Sequence, residues 1–212
     1  MKKPLVGIIN ISINNILSIK RALDFIGFDT IVINEDQKID HLDMIVLPGV
    51  GAFSGAMKTL QKTGLIKTIN KSLDKDKKFL GICLGMQLLF ESSNEFGKTN
   101  GIGFFDGEIE SFETHAVYKK TFIGWNKVKL KENTFDDDKK LSLLQNKPYY
   151  FVHSFFANCK SKDIIFGTSS NGDLNFASIV KKNNAIAFQF HPEKSGENGL
   201  QLLKIATKEI LE

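Results

Sequence analysis

Cysteine is scarce in this 212-residue chain: there are two, Cys83 and Cys159, with no pairing by spacing, which excludes a disulfide framework. Histidine is scarce too, with four, and no Cys-x-x-Cys or His-x-x-x-His pattern occurs. No metal site and no cofactor are therefore expected. No apolar run reaches the length of a membrane span. The opening Met1-Lys2-Lys3 followed by Pro4 to Ile9 has the outline of a secretion signal. However, Asn10, Ser12, Asn14 and Asn15 interrupt it and no small-x-small site follows, so it reads as a first buried strand. Charge of one sign is lacking as well. The net charge is only +4, and the densest run, Asp74-Lys75-Asp76-Lys77-Lys78, alternates in sign like a solvated helix end. A nucleic-acid partner needs a concentrated basic footprint and is not expected. These absences leave a cytoplasmic protein with no membrane partner.

The 42% hydrophobic and 25% charged content is that of a globular protein with a sizeable core, and one domain over residues 1–212 is the simplest organisation. The first half alternates short apolar runs with helical spacing. Leu5 to Ile9 precedes Ile16, Ile19, Leu23 and Ile26; Thr30 to Ile33 and Met44 to Leu47 follow; then come Ala56, Leu60, Leu65 and Ile69, and Phe79 to Ile82. This rhythm predicts an α/β fold with an open, mostly parallel sheet and helices on both faces. From Gly107 to Val180 the runs shorten and crowd, predicting antiparallel additions to that sheet; Tyr149 to Val152 and Ile164 to Phe166 are examples. Lys131 to Gln145 reads as a charged loop with a short helix, Ala185 to Phe190 as a further buried strand, and Leu200 to Ile210 as a closing helix. There is no internal repeat.

One cysteine stands in a chemically telling place. Gly81-Ile82-Cys83-Leu84-Gly85 sets Cys83 between glycines, after an apolar strand and before the helical run Met86, Leu88, Leu89. This is the pattern of a strand-to-helix nucleophile elbow. The turn exposes sulfur at the strand's carboxyl end, the glycines relieve crowding, and the next helix points its N-terminus at the thiol. The amide of Leu84 is free to donate to an oxyanion. A small buried core residue is the competing reading of a lone cysteine. Cys159, in Asn158-Cys159-Lys160, has no elbow.

A nucleophilic thiol needs a base and a group to orient that base. His41 and His115 lie in a polar turn and a loop. His191 ends the strand Ala185 to Phe190, where open α/β sheets place their sites, and Pro192 and Glu193 follow it. Two residues apart on extended chain, the side chains of His191 and Glu193 point the same way. His153, after Tyr149 to Val152, is the alternative base, though no acid follows it closely. After Met44 to Leu47, Pro48-Gly49-Val50-Gly51 is either a plain glycine turn or one that offers a second oxyanion amide through Gly49, Val50 or Gly51.

Three motifs together carry a resemblance: Pro-Gly-Val-Gly-Ala-Phe at 48–53, Gly-Ile-Cys-Leu-Gly-Met-Gln at 81–87 and Phe-His-Pro-Glu-Lys-Ser-Gly at 190–196. They resemble those of the class I glutamine amidotransferases. With Gly124-Trp125-Asn126 and Phe151-Val152-His153-Ser154, they are more narrowly similar to the glutaminase subunits of imidazole glycerol phosphate synthases, over nearly the whole chain. The resemblance implies a flavodoxin-like fold and a thioester mechanism in which Cys83 attacks glutamine, His191 carries the proton and Glu193 orients His191. It further implies that Gln87 holds substrate, unless it is simply a polar residue on the first helical turn. Trp125 and Asn126 would face the partner, a (β/α)8-barrel cyclase forming a heterodimer, with ammonia passing to it for histidine synthesis. The oxyanion turn would become productive when that partner is loaded. The chain departs from the usual pattern at Asn10-Ile11-Ser12-Ile13-Asn14-Asn15, at Phe122 in place of a histidine, and at Phe155 in place of a tyrosine, segments expected at the site mouth or partner face. The alternative is a paralogue supplying ammonia to another synthase, such as one amidating a nucleotide sugar or surface glycan. A silent partner-binding module is a further reading, which the intact Cys, His and Glu set opposes.

Overall fold

The computed structural model describes residues 3–11, 16–75, 77–115, 117, 119–132 and 144–211. The chain begins with β1 (Leu5–Ile9), α1 (Ile16–Phe25), β2 (Asp29–Ile33), β3 (Met44–Gly49), α2 (Phe53–Lys62), α3 (Leu65–Asp74) and β4 (Lys78–Cys83). It continues with α4 (Leu84–Leu88), β5 (Phe90–Ser93), β6 (Thr99–Asn100), β7 (Phe105–Ser111), β8 (Phe122–Lys127) and β9 (Lys129–Leu130). Last come β10 (Pro148–His153), β11 (Phe155–Cys159), β12 (Ile165–Asn171), β13 (Leu174–Lys182), β14 (Ala185–Phe188) and α5 (Gly196–Leu211).

The main sheet has the order β2-β1-β3-β4-β14-β13-β12-β9. Its strands are parallel from β2 to β14 and antiparallel from β13 onward. The core divides between the two faces with the two-residue period of a strand. Met44, Val46, Leu80, Ile82, Ile186 and Phe188 pack on one side with Ile19 and Leu23 of α1 and Leu202 and Leu203 of α5. Ile45, Leu47, Phe79, Ala185 and Ala187 pack on the other with Leu60 of α2 and Leu65 and Ile69 of α3. That two-sided burial is why these strands read as continuous apolar runs rather than alternating ones. The helices follow suit: Phe53, Ala56, Met57 and Leu60 put an apolar stripe of α2 on the sheet.

The fold is the expected α/β one, with differences in the second half. Among the described residues, β9, β12 and β13 are the antiparallel strands that extend the main sheet. Strands β11, β7, β5 and β6 form a separate four-stranded sheet, and β8 and β10 a separate antiparallel pair. The strand expected over Ala185 to Phe190 stops at Phe188, and residues 189–190 bend away. The helix expected after the elbow is only five residues long before the chain turns into β5. Residues 12–15, Asp76, and 133–143 of the expected loop and short helix lie outside the described residues.

Two glycines let α4 sit directly on the sheet. A Cβ on Gly85 would lie 1.7 Å from the Leu47 carbonyl oxygen, and one on Gly81 would lie 2.9 Å from the Ala187 Cβ. Gly85→Ala must therefore push α4 off β3 and is expected to destabilise by about 3 kcal/mol, the upper end of overpacking costs. A Cβ on Gly55, inside α2, meets nothing within 4 Å. Gly55→Ala is expected to stabilise by roughly 0.5–1 kcal/mol. Urea unfolding of the two variants checks the pair, and a Gly85→Ala protein as stable as the parent would contradict the close approach.

Candidate active site

β3 and β4 run side by side to the carboxyl edge of the sheet, where Gly49 is the register partner of Cys83. Cys83 itself carries the strain of the elbow, at φ 54° and ψ −111°. Neither Gly81 nor Gly85 has a positive φ. The flanking glycines thus serve the close packing of α4, and the left-handed backbone falls on the cysteine. The helix expected to point its N-terminus at the thiol does start directly after Cys83, but with only five residues it adds little dipole. In the neighbouring turn Gly51 sits at φ 105°, which an L-residue avoids.

A pocket of about 440 Å³ opens over this edge, lined by Val50, Gly51, Cys83, Leu84, Gln87, Glu95, His153, Ser154, Phe155 and Lys194, among others. His191 is not among the lining residues: it is fully buried. Its Nδ1 donates to Glu193 Oε1 at 2.8 Å, with both side chains fully buried. Its Nε2 has no partner within normal hydrogen-bond geometry, yet Cys83 is near enough to act on the ring both as a charge and as a looser hydrogen-bond partner. Burial alone would lower the affinity of this imidazole for a proton. The neighbouring Cys83 and the Glu193 carboxylate outweigh that and push it up to about 10. Glu193 reaches the ring through a 3-10 turn over Pro192–Lys194 rather than along extended chain. The turn is held in place from β10: His191 N donates to Tyr150 O at 2.8 Å, Tyr150 N to Ser195 Oγ at 2.9 Å, and Ser195 Oγ to His191 O at 2.6 Å.

His153, the alternative base, behaves differently. Its Nδ1 donates to Phe155 O at 2.8 Å, and its ring lies among those of Phe112, Phe122, Phe151 and Phe176. Burial, reinforced by nearby His191 and opposed by the Phe155 carbonyl, pushes it down to about 4. It is neutral near pH 7. Cys159 is half-buried, and burial pushes its thiol up to about 12, which makes it a poor nucleophile. His115 is paired with Glu110 at 2.9 Å and does not line the pocket.

Gln87 lines the pocket but is largely engaged within the protein, donating to Phe155 O at 2.9 Å and to Gln189 Oε1 at 3.1 Å. Trp125 and Asn126 lie on β8 outside the pocket lining. Trp125 is 56% exposed beside Tyr150, and Asn126 donates to Ser170 O at 2.9 Å. The sequence reading missed Glu95, Lys194, Ser195 and Gln189. Glu95 Oε2 accepts from Phe53 N at the start of α2, which anchors a carboxylate in the pocket wall. Lys194 and Ser195 stood in the quoted motif; Glu95 had no local signal, because its partner lies 42 residues away.

A thiol on a strained turn beside a carboxylate-held imidazole, at the carboxyl edge of a doubly wound sheet, can attack a carbonyl and move the proton. That defines a cysteine-hydrolase type of site. Comparison with known proteins agrees. The glutamine amidotransferase class-I family profile matches residues 8–208. The imidazole glycerol phosphate synthase subunit HisH of Caldanaerobacter subterraneus is 39% identical over 94% of this chain and 96% of its own. The same subunit of Sulfurimonas denitrificans is 37% identical over 96% and 98%. Among solved structures, PurLQS from Thermotoga maritima has a TM-score of 0.75 at 18% identity, covering 98% of this chain and 99% of that one. The chain belongs to the class I glutamine amidotransferases.

The depressed His153 has a stability consequence. A histidine that stays neutral when folded but titrates near 6.5 when unfolded supports the fold fully above 6.5 and loses that support as pH falls toward about 4. The loss over this window is on the order of 3 kcal/mol. His153→Gln is expected to show a shallower fall in urea-unfolding stability between those pH values than the parent. Equal slopes would refute the depressed titration.

Proposed function

We propose that this chain is the glutaminase subunit of an imidazole glycerol phosphate synthase. It hydrolyses glutamine to glutamate and hands ammonia to a (β/α)8-barrel cyclase in a cytoplasmic heterodimer, for histidine biosynthesis. The observation that carries the reading is a paired one: Cys83 lines the pocket and acts on the buried His191, which Glu193 holds through Nδ1, in a chain 39% identical over 94% of its length to a protein of that name. We take the whole chain to act as one domain.

In this reading His191 Nε2 holds the proton, as the upward push on that imidazole favours, and the Cys83 sulfur attacks the side-chain amide carbon of glutamine. The amide of Leu84 and one from Gly49-Val50-Gly51 receive the oxyanion. The carbon–nitrogen bond then breaks as His191 gives its proton to the departing nitrogen, leaving ammonia and a glutamyl thioester. Water, deprotonated by His191, cleaves the thioester to glutamate, and the expelled sulfur again faces an imidazole that holds the proton. Glu193 keeps its hydrogen bond to Nδ1 throughout and so leaves Nε2 for the sulfur. Glu95 supplies a carboxylate suited to the substrate's ammonium group, Gln87 supports the substrate's surroundings, and Trp125 and Asn126 face the cyclase.

Cys83→Ala is expected to abolish glutamine-dependent turnover by the complex while leaving ammonia-dependent turnover intact. Glutamate release by the parent chain should rise strongly on adding the organism's own cyclase loaded with its nucleotide ligand. Absence of stimulation by a folded, ammonia-competent cyclase would point instead to another ammonia-using synthase. Loss of both activities in the folded Cys83→Ala complex would refute the division of labour.

A further inference from the structure

Behind Cys83 a chain of buried amides ends on the sulfur. It starts at the Phe155 carbonyl oxygen, which accepts from His153 Nδ1 at 2.8 Å and from Gln87 Nε2 at 2.9 Å. Gln87 Nε2 also donates to Gln189 Oε1 at 3.1 Å. Gln189 Nε2 then donates to Cys83 Sγ at 3.9 Å. Gln189 is fully buried, and its backbone is held by N–H donation to Ser178 O at 2.9 Å.

The direction of this chain is set by its first link. A backbone carbonyl can only accept, so the Gln87 side chain must present its NH2 end to Phe155. The same NH2 group meets Gln189, which must answer with its carbonyl oxygen. That leaves the Gln189 NH2 group facing the sulfur. An N–H donor stabilises a sulfur that has lost its proton more than one that keeps it. On the other side, Val152 O lies 4.0 Å from Sγ and can accept only from the protonated thiol. The sulfur thus has an acceptor suited to the thiol and a donor suited to the thiolate.

We propose that Gln189 is a positioning residue for the nucleophile, its orientation fixed through Gln87 by the Phe155 carbonyl, and that it holds the Cys83 sulfur once the proton has passed to His191. This rests on Cys83 being the nucleophile. It also assigns Gln87 a role in the protein's own machinery, in addition to any contact with substrate.

Site-resolved alkylation of Cys83 by iodoacetamide over a range of pH, in the full chain and with Cys159 as internal reference, tests it. Gln189→Met keeps length and burial but removes the donor. It is expected to move the pH profile of Cys83 alkylation upward by about one unit and to lower the glutaminase kcat about tenfold with KM little changed, while the Cys159 profile stays in place. Gln87→Leu, which frees Gln189 to turn over, is expected to move the Cys83 profile the same way by less, and it serves if Gln189→Met does not fold. An unmoved Cys83 profile in a folded variant, even with reduced turnover, would mean that Gln189 only fills space and overturns the proposal. If parent Cys83 reacts no faster than Cys159 at any pH, the nucleophile reading itself fails.

Discussion

Everything at this site hangs on one backbone conformation, the left-handed turn at Cys83. An L-residue there costs on the order of 1–3 kcal/mol, and it persists only where the surroundings over-determine it. Here they do so through contact at van der Waals distance. Gly85 has no room for a Cβ above the Leu47 carbonyl, and Gly81 has almost none beside Ala187 and Met86. With α4 pressed onto β3, the chain must reverse within a single residue, and that residue is Cys83. The strain aims the sulfur at the pocket, and the same packing brings the Gly49 turn alongside through the β3–β4 register. The placing of the sulfur and of that turn are therefore two outcomes of one packing constraint.

The two histidines near the sulfur show how burial alone does not decide a group's charge. Both rings are buried, yet His191 is pushed up to about 10 and His153 down to about 4. The difference is the company each keeps. His191 has the Glu193 carboxylate on Nδ1 and Cys83 nearby, which together outweigh desolvation. His153 has a neutral carbonyl and a surround of phenyl rings, which cannot. Two imidazoles that both carried a proton here would repel each other; the apolar cage keeps one of them out of the proton inventory.

The catalytic candidates were legible because their chemistry is local in sequence. Gly-x-Cys-x-Gly and His-Pro-Glu each fit inside one turn, so spacing alone brings out Cys83, His191 and Glu193. The parallel half of the sheet was legible for a related reason: two-sided burial writes unbroken apolar runs. What stayed hidden depends on distant partners. Glu95 meets the start of α2 across 42 residues, and Gln189 meets Cys83 across 106. No periodicity reports such pairs. The second half of the chain was misplaced in part because short antiparallel runs look alike, whether they extend the main sheet or form the separate pair β8 and β10.

Residues 122 and 155, where the chain departs from the pattern it resembles, stand at the starts of β8 and β11. Phe122 is buried, packing on Phe151 and stacked against His153, which itself lines the pocket. A histidine in its place would put a second imidazole into an apolar cage whose existing one already has a buried, unbonded Nε2. A phenyl ring there needs no hydrogen-bond partner and strengthens the desolvation that keeps His153 neutral. At 155 the part of the residue that matters is the backbone carbonyl, which receives both His153 and Gln87. A lost tyrosine hydroxyl leaves that carbonyl untouched. Phe122 and Phe155 thus leave in place the groups that form the amide chain behind Cys83: the Phe155 carbonyl, Gln87 and Gln189.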